Sequence, residues 1–224
     1  MTGNRIINTP PLESGDRLTR QEFEHRYYLM PENLKAELIE GVVYVASPVR
    51  TNSHGRPHAK IMAWLGFYSA ATPGVDVQDN ATVRLDTDNE PQPDALLRIE
   101  PRVGGNSRIS EDDYIEGVPE LIAEIAGSSA SYDMNAKLNA YRRNGVQEYI
   151  AWQIYENSLD WFRLQEGRYV SFEPDAEGVI RSQIFPGLWL LVNALREGNL
   201  AEVLAVLQQG LQTAGHQAFV ERLQ

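Results

Sequence analysis

Glu124 stands in the middle of LIAEIA, the strongest buried-strand pattern in the chain; Asp94 heads a second apolar run, DALLRI, and Glu37 lies in a third, AELIE. Burying an unpaired carboxylate is costly, so a charge in such a run needs an ion, a base or a hydrogen-bonding network. If the strands carrying Asp94 and Glu124 are neighbours, their oxygens can converge on one hard cation at roughly 2 to 2.6 Å. A cation held there can activate water and stabilise charge on a phosphoryl group. The competing reading makes each acid an edge or capping residue facing solvent, which suits Asp94, directly after Pro93, better than it suits Glu124.

Lys137 lies on the segment that follows the Glu124 strand, where an ammonium can serve as a point charge near a scissile phosphate. Asp133 is four residues earlier on the same helix face, so an ordinary surface ion pair is the alternative. His54 and His58 are also four apart. They make a weak case for zinc, because no glutamate stands between them in the metalloprotease pattern and the chain has no cysteine to add as a ligand. His54 suits a contact to phosphate or water, and His58 a structural role. Tyr141, one turn beyond Lys137, reads as a packing residue with a hydrogen-bonding end.

Several chemistries are excluded. With 0 cysteines, disulfide scaffolds, thiolate metal sites and cysteine nucleophiles are ruled out. There is no nucleophile elbow, phosphate-binding lysine loop or dinucleotide glycine series, so no organic cofactor is indicated. GSS after Glu124 is better assigned to starting a helix through Ser128 or Ser129. Trp152, Trp161 and Trp189 sit in core-like patterns rather than on a stacking platform. A net charge of -11 argues against coating nucleic acid through broad attraction, though part of it can be local to a cation site. No stretch approaches the roughly eighteen apolar residues that span a bilayer. The default location is cytoplasmic.

The elements that must position these residues follow from turn and period signals. Residues 18–30 predict a helix begun by a Thr19/Glu22 capping box and ended at Pro31. AELIE and VVYVAS predict a hairpin through Glu40 and Gly41. The segment 52–70 predicts a regular helix that either carries Pro57 in its first turn or begins there. Residues 75–85 read as an extended pair around Asp79 and Asn80, and 101–118 as a long, partly mobile surface insertion. LIAEIA, a helix from Ala130 to Asn144 and VQEYIAWQI form a strand-helix-strand crossover with parallel strands. SLDWFRLQE and RYVSFEP predict a hairpin through Gly167. Amphipathic helical segments close the chain and must pack on the core or on a partner.

In order and spacing, AELIEG, VVYVASP, HGRPHAKIMAWL, QPDALL, LIAEIAGSS, YDMNAKLNAYRRNGVQEYIAW and FPGLWL resemble the Uma2-like family of bacterial restriction endonucleases, which looks like a branch of the PD-(D/E)xK nuclease superfamily. The resemblance covers residues 20 to 195. It implies an α/β fold: a restriction-endonuclease-like mixed β-sheet core flanked by helices, with additional C-terminal helices. The expected organisation is a flexible leader over 1–17, the core over 18–195 and a helical extension over 196–224. It further implies Mg²⁺ or Mn²⁺ held by Asp94 and Glu124, assisted by Glu37, with the backbone carbonyl of Ile125 completing the ligand set. Ala126 occupies the place of the usual lysine, and Lys137 on the next helix matches the variant that supplies it from there. His54 matches the family's histidine before its first long helix, and Asp133 an acidic residue before the lysine. Gly127, Ser128 and Ser129 depart from the family's serine-proline-serine, and Gln153 replaces an aspartate. DNA is the implied partner, and a homodimer through the C-terminal helices is plausible on geometric grounds. The rival readings are a binding or regulatory domain without efficient cleavage, and a protein-interaction module built on the terminal helices.

Overall fold

The computed structural model describes residues 9–31, 33–46, 50–127 and 130–224, without the side chains of 130–134. Its centre is a six-stranded mixed sheet in the order β11-β10-β9-β8-β5-β3. These strands are β3 (Val75–Asp79), β5 (Ala95–Ile99), β8 (Leu121–Ala126), β9 (Glu148–Gln153), β10 (Ser158–Gln165) and β11 (Arg168–Ser171). Within this sheet only β8 and β9 pair in parallel, and the helix between them, α3 (Ala130–Asn144), is the crossover such a pair requires. Every residue of β8 is buried, as expected of a strand with both faces covered.

Period-2 alternation divides the sheet between two cores. Ala95, Leu97, Ala123 and Ile125 pack with Trp64 and Leu65 of α2 (Arg56–Ala70), whereas Leu96, Ile122, Tyr149 and Ala151 pack with Tyr141 of α3. Glu124, one residue from Ala123 and Ile125, therefore belongs by parity to the α3 face. Before α2 the chain makes a π turn over Thr51–Gly55, with the amide of Gly55 donating to the carbonyl of Arg50, 3.2 Å away. Pro57 explains the change of winding: its ring conflicts with the carbonyl four residues back, so a regular α-helix cannot run unbroken through that point.

The first hairpin, β1 (Ala36–Ile39) and β2 (Val42–Val45), turns through Glu40 and Gly41 at φ 54° and 70°. Two consecutive positive φ values make the turn whose twist matches antiparallel strands. The same geometry recurs at Glu166 and Gly167 between β10 and β11. The first helix, α1 (Arg20–Tyr27), is shorter than the predicted 18–30, and only half of its capping box forms. Thr19 accepts from the amide of Glu22, but the Glu22 carboxylate is held by Arg26. The leader is not loose throughout: Leu12 is buried, and the amide of Gly15 donates to the carbonyl of Val43.

Two expectations fail here. Residues 75–85 are not a paired unit, because β3 joins the large sheet while β4 (Val83–Arg84) joins a separate three-stranded sheet. That second sheet is completed by β6 (Ser107–Ile109) and β7 (Ile115–Gly117), so 101–118 is folded rather than a mobile insertion. Glu120 anchors it, accepting from the amides of Ile99 and Asn106 at 2.7 and 3.0 Å. The helix-starting roles expected of Ser128 and Ser129 lie outside the described residues.

At the C-terminus, β12 (Val179–Arg181) and β13 (Trp189–Leu191) form an unanticipated hairpin followed by α4 (Val192–Glu197), α5 (Leu200–Leu211) and α6 (Ala214–Arg222). Val203, Leu207, Phe219 and Leu223 join the α2-side core, so these helices bury their apolar sides within this chain. Gly210 sits inside α5 because a Cβ there would lie 2.3 Å from the carbonyl oxygen of Gly187. No helix among the described residues is long and apolar enough to cross a membrane.

Candidate active site

The register of β5 and β8 decides the geometry. Ala95 pairs with Ala123 in an antiparallel ladder, so the next position sets Asp94 opposite Glu124 where the two strands part. Thirty residues separate them along the chain, and strand pairing makes them neighbours. Asp94 replaces the next rung with its side chain: the amide of Ile125 donates to Asp94 Oδ2 at 2.6 Å. Its other oxygen, Oδ1, is 3.1 Å from His54 Nε2, and its carbonyl is 2.8 Å from His58 Nε2. His58 also approaches Asp79 Oδ1 at 3.1 Å, and the two imidazoles stack with centroids 5.6 Å apart.

Glu37 and Lys137 arrive from opposite ends of the sequence. Leu38 and Glu90 exchange backbone hydrogen bonds, tethering β1 beside the segment that leads into β5. That tether lets the Gln92 amide donate to Glu37 Oε1 at 2.6 Å. Lys137 descends from α3 and donates through Nζ to Glu37 Oε1 at 2.9 Å and to Glu124 Oε1 at 3.0 Å. Its partners are thus carboxylates distant in sequence; the side chain of Asp133, the local alternative, lies outside the described residues. Tyr141, one helical turn on, donates its hydroxyl to Glu124 Oε1 at 2.6 Å. Its contribution to the site was accessible only as a shared helix face with Lys137, a signal that fits packing equally well.

Three carboxylates, Glu37, Asp94 and Glu124, thus share the neighbourhood of one ammonium. The balance is reflected in proton affinity. Burial, opposed by Lys137 and reinforced by Asp94 and Glu37, pushes the Glu124 carboxyl up to about 8. Burial also raises Asp94, against the lowering effects of the Ile125 amide, Lys137 and His54. Burial acts to lower the Lys137 ammonium, but the charges of Glu124 and Glu37 outweigh it and hold the group well above its ordinary value. Desolvation and the neighbouring acids both favour the protonated form of Glu124, a pressure that a further cation would relieve. Among the described residues no group of three or more His, Asp or Glu side chains is arranged as a preformed metal cage.

All five side chains singled out from the sequence, Glu37, His54, Asp94, Glu124 and Lys137, meet at this end of the central sheet. Gln153 donates to Asp160 at 3.3 Å. The sequence matches the model of the Uma2 family, described as "Putative restriction endonuclease", over residues 20–193, and the chain belongs to that family. A solved structure from Anabaena variabilis ATCC 29413, described as "a putative nuclease belonging to DUF820", is similar in fold. It has a TM-score of 0.59 and 17% sequence identity, covering 77% of this chain and 96% of that one. No curated protein matches the sequence.

Proposed function

We propose that this member of the Uma2 family is a metal-dependent endonuclease that hydrolyses DNA phosphodiester bonds at the Asp94 and Glu124 end of the sheet. The observation that carries this reading is the facing of Asp94 and Glu124 where their strands part, with Lys137 Nζ 3.0 Å from Glu124. The donor set is all oxygen, which suits Mg²⁺ or Mn²⁺ rather than a softer ion. Magnesium keeps several waters and needs only one or two carboxylates, so a preformed three-residue cage is not required. The raised proton affinity of Glu124 and Asp94 is consistent with a site that favours additional positive charge. Asp94 and Glu124 would hold the ion, with Glu37 as an auxiliary acid. The Ile125 carbonyl leaves its strand on the same edge as the amide bonded to Asp94, which suits it to complete the set. When bound, the metal supplies an acidified water and a counter-charge for phosphoryl oxygens.

The remaining work falls to the protein. Lys137, oriented by Glu37, presents a fixed point charge beside the carboxylates, where negative charge grows as water attacks phosphorus. Tyr141 fixes the Glu124 carboxylate, and His54 and the Ile125 amide fix Asp94 from two directions. Held in this way, the carboxylates need little rearrangement on meeting substrate, which is the benefit of preorganisation.

The test is cleavage of linear, supercoiled and single-stranded DNA with Mg²⁺, Mn²⁺ or chelator, beside folded Asp94→Ala, Glu124→Ala and Lys137→Ala proteins. Metal-dependent cleavage lost in the variants supports the assignment; equal activity in all of them sinks it. One observation favours a second reading, a binding domain without turnover: Lys137 already bridges two of the acids. Metal-independent binding with no cleavage under any condition would select it.

A further inference from the structure

Exposed cations without a carboxylate partner among the described residues include Arg17, Arg168, Arg196 and Arg222, and three more that lie close to the candidate site. Arg26, Arg84, Arg98, Arg143 and Arg181 each lie within salt-bridge distance of a carboxylate. Lys35, Arg50 and Arg56 are exposed and have no such partner among the described residues. From Gly41 to Val75 the sequence contains no Asp or Glu at all, yet it holds Arg50, Arg56 and Lys60. In a protein of net charge -11, that is a local reversal of sign.

The reversal lies beside the candidate site. Pairing of the first hairpin continues to Lys35, whose carbonyl accepts from the Ala46 amide at 2.8 Å. Two residues before Glu37, Lys35 therefore shares that residue's face of the strand. Arg50 supplies the carbonyl that closes the π turn, and the same turn delivers His54 to Asp94. Arg56 opens α2 directly after it. Just past the end of β8, Gly127 lies between this turn and Tyr155: a Cβ there would be 3.8 Å from Ser53 Oγ and 3.9 Å from Tyr155 Cε2. Tyr155 is 56% exposed, an aromatic ring offered to solvent at the site's own end of the sheet.

We propose that Lys35, Arg50 and Arg56 hold backbone phosphates of a DNA strand while Tyr155 stacks on one of its bases, leading the strand to Asp94 and Glu124. The proposal rests on the nuclease reading and names the surface that reading requires. Cations with no internal carboxylate partner are free to replace the counterions of phosphates, and a tyrosine face accepts any base. The lack of Asp and Glu between Gly41 and Val75 makes this the stretch where phosphates meet the least repulsion.

The experiment is fluorescence anisotropy of a short labelled single-stranded DNA with the full chain in EDTA, where metal-dependent turnover is suppressed, over a range of salt. Lys35→Ala, Arg50→Ala and Arg56→Ala should each weaken binding several-fold and reduce the slope of log affinity against log salt by about 0.7. Tyr155→Ala should weaken binding about fivefold or more without altering that slope, and Tyr155→Phe should restore it. Arg168→Ala, removing an exposed cation on β11, should leave both quantities unchanged. No binding by the unaltered protein, no effect of the strip substitutions, or an equal effect of Arg168→Ala overturns the proposal. Normal binding by the strip variants, with cleavage abolished by Asp94→Ala, removes the strip and leaves the site. Strip-dependent binding with undiminished cleavage by Asp94→Ala removes the site and leaves the strip.

Discussion

Glu124 and Glu148 occupy adjacent strands of one sheet, both buried, and their surroundings oppose each other in kind. Glu148 accepts four hydrogen bonds from uncharged donors: Trp161 Nε1 at 3.2 Å, Ser182 Oγ at 2.8 Å, and the amides of Gln183 and Ile184 at 2.8 and 3.2 Å. These bonds fasten the 182–185 turn to β9. Glu124 takes its bonds from Lys137 and Tyr141 while facing Asp94 and sharing the lysine with Glu37. Burial raises the proton affinity of both. At Glu148 neutral donors compensate it; at Glu124 neighbouring acids add to it. A buried carboxylate surrounded by donors supports the fold, and one surrounded by other carboxylates is suited to binding a cation.

The comparison can be tested by separating stability from activity. Glu148→Ala leaves its donors without an acceptor and should cost about 3 to 5 kcal/mol in urea denaturation, with cleavage per folded molecule unchanged. If it costs no more than a surface substitution, the structural half of the contrast fails. Asp94→Ala and Glu124→Ala should lower metal-dependent cleavage by about 100- to 1000-fold in single-turnover assays. Lys137→Ala should fall in the same range, and a loss below tenfold would leave the lysine no part in the chemistry.

Titration supplies a third test. Glu124 keeps its proton up to about 8 when folded, against 4.5 when unfolded. Between these values the folded state binds more protons, so stability is fully present below 4.5 and falls as pH rises toward 8. The slope contributed by one such group is at most about 1.4 kcal/mol per pH unit. Metal-free Glu124→Gln should lose that part of the slope, leaving the contributions of Glu90, Asp94 and Glu148. A pH profile identical to that of the unaltered protein would contradict the assignment.

Magnesium at about ten times its dissociation constant should stabilise the native protein by about 1.4 kcal/mol, raising its melting temperature by a few degrees. The shift should vanish in Asp94→Asn and persist in Glu148→Gln. The smallest effect is expected from Tyr141→Phe, which deletes one hydrogen bond to Glu124 and should cost about 1 kcal/mol by denaturation. An unchanged stability in that variant would show that the tyrosine serves chiefly in packing.

Much of this was legible along the chain. The apolar run around Glu124 specified a buried strand, Glu40-Gly41 and Gly167 specified hairpin turns, and the strand-helix-strand order from Leu121 to Ile154 specified a parallel crossover. Those features arise from backbone period and turn geometry, which are local. The segments 75–85 and 101–118 were misjudged because neither contains its own pairing partner. A strand as short as β4 is stabilised by β7, which lies more than thirty residues away.

Local sequence therefore determined many of the kinds of element and that Glu124 would be buried. It also supplied the ordered motifs that place the chain in its family. Tertiary structure alone decided that Asp94 faces Glu124, that Lys137 reaches Glu37 across 100 residues, and that Glu124 rather than Glu148 is set among other carboxylates. The physical reason is that a carboxylate's burial follows from its own strand, whereas its charge balance is set by what other strands and helices bring beside it. That balance exists only once register and packing are complete.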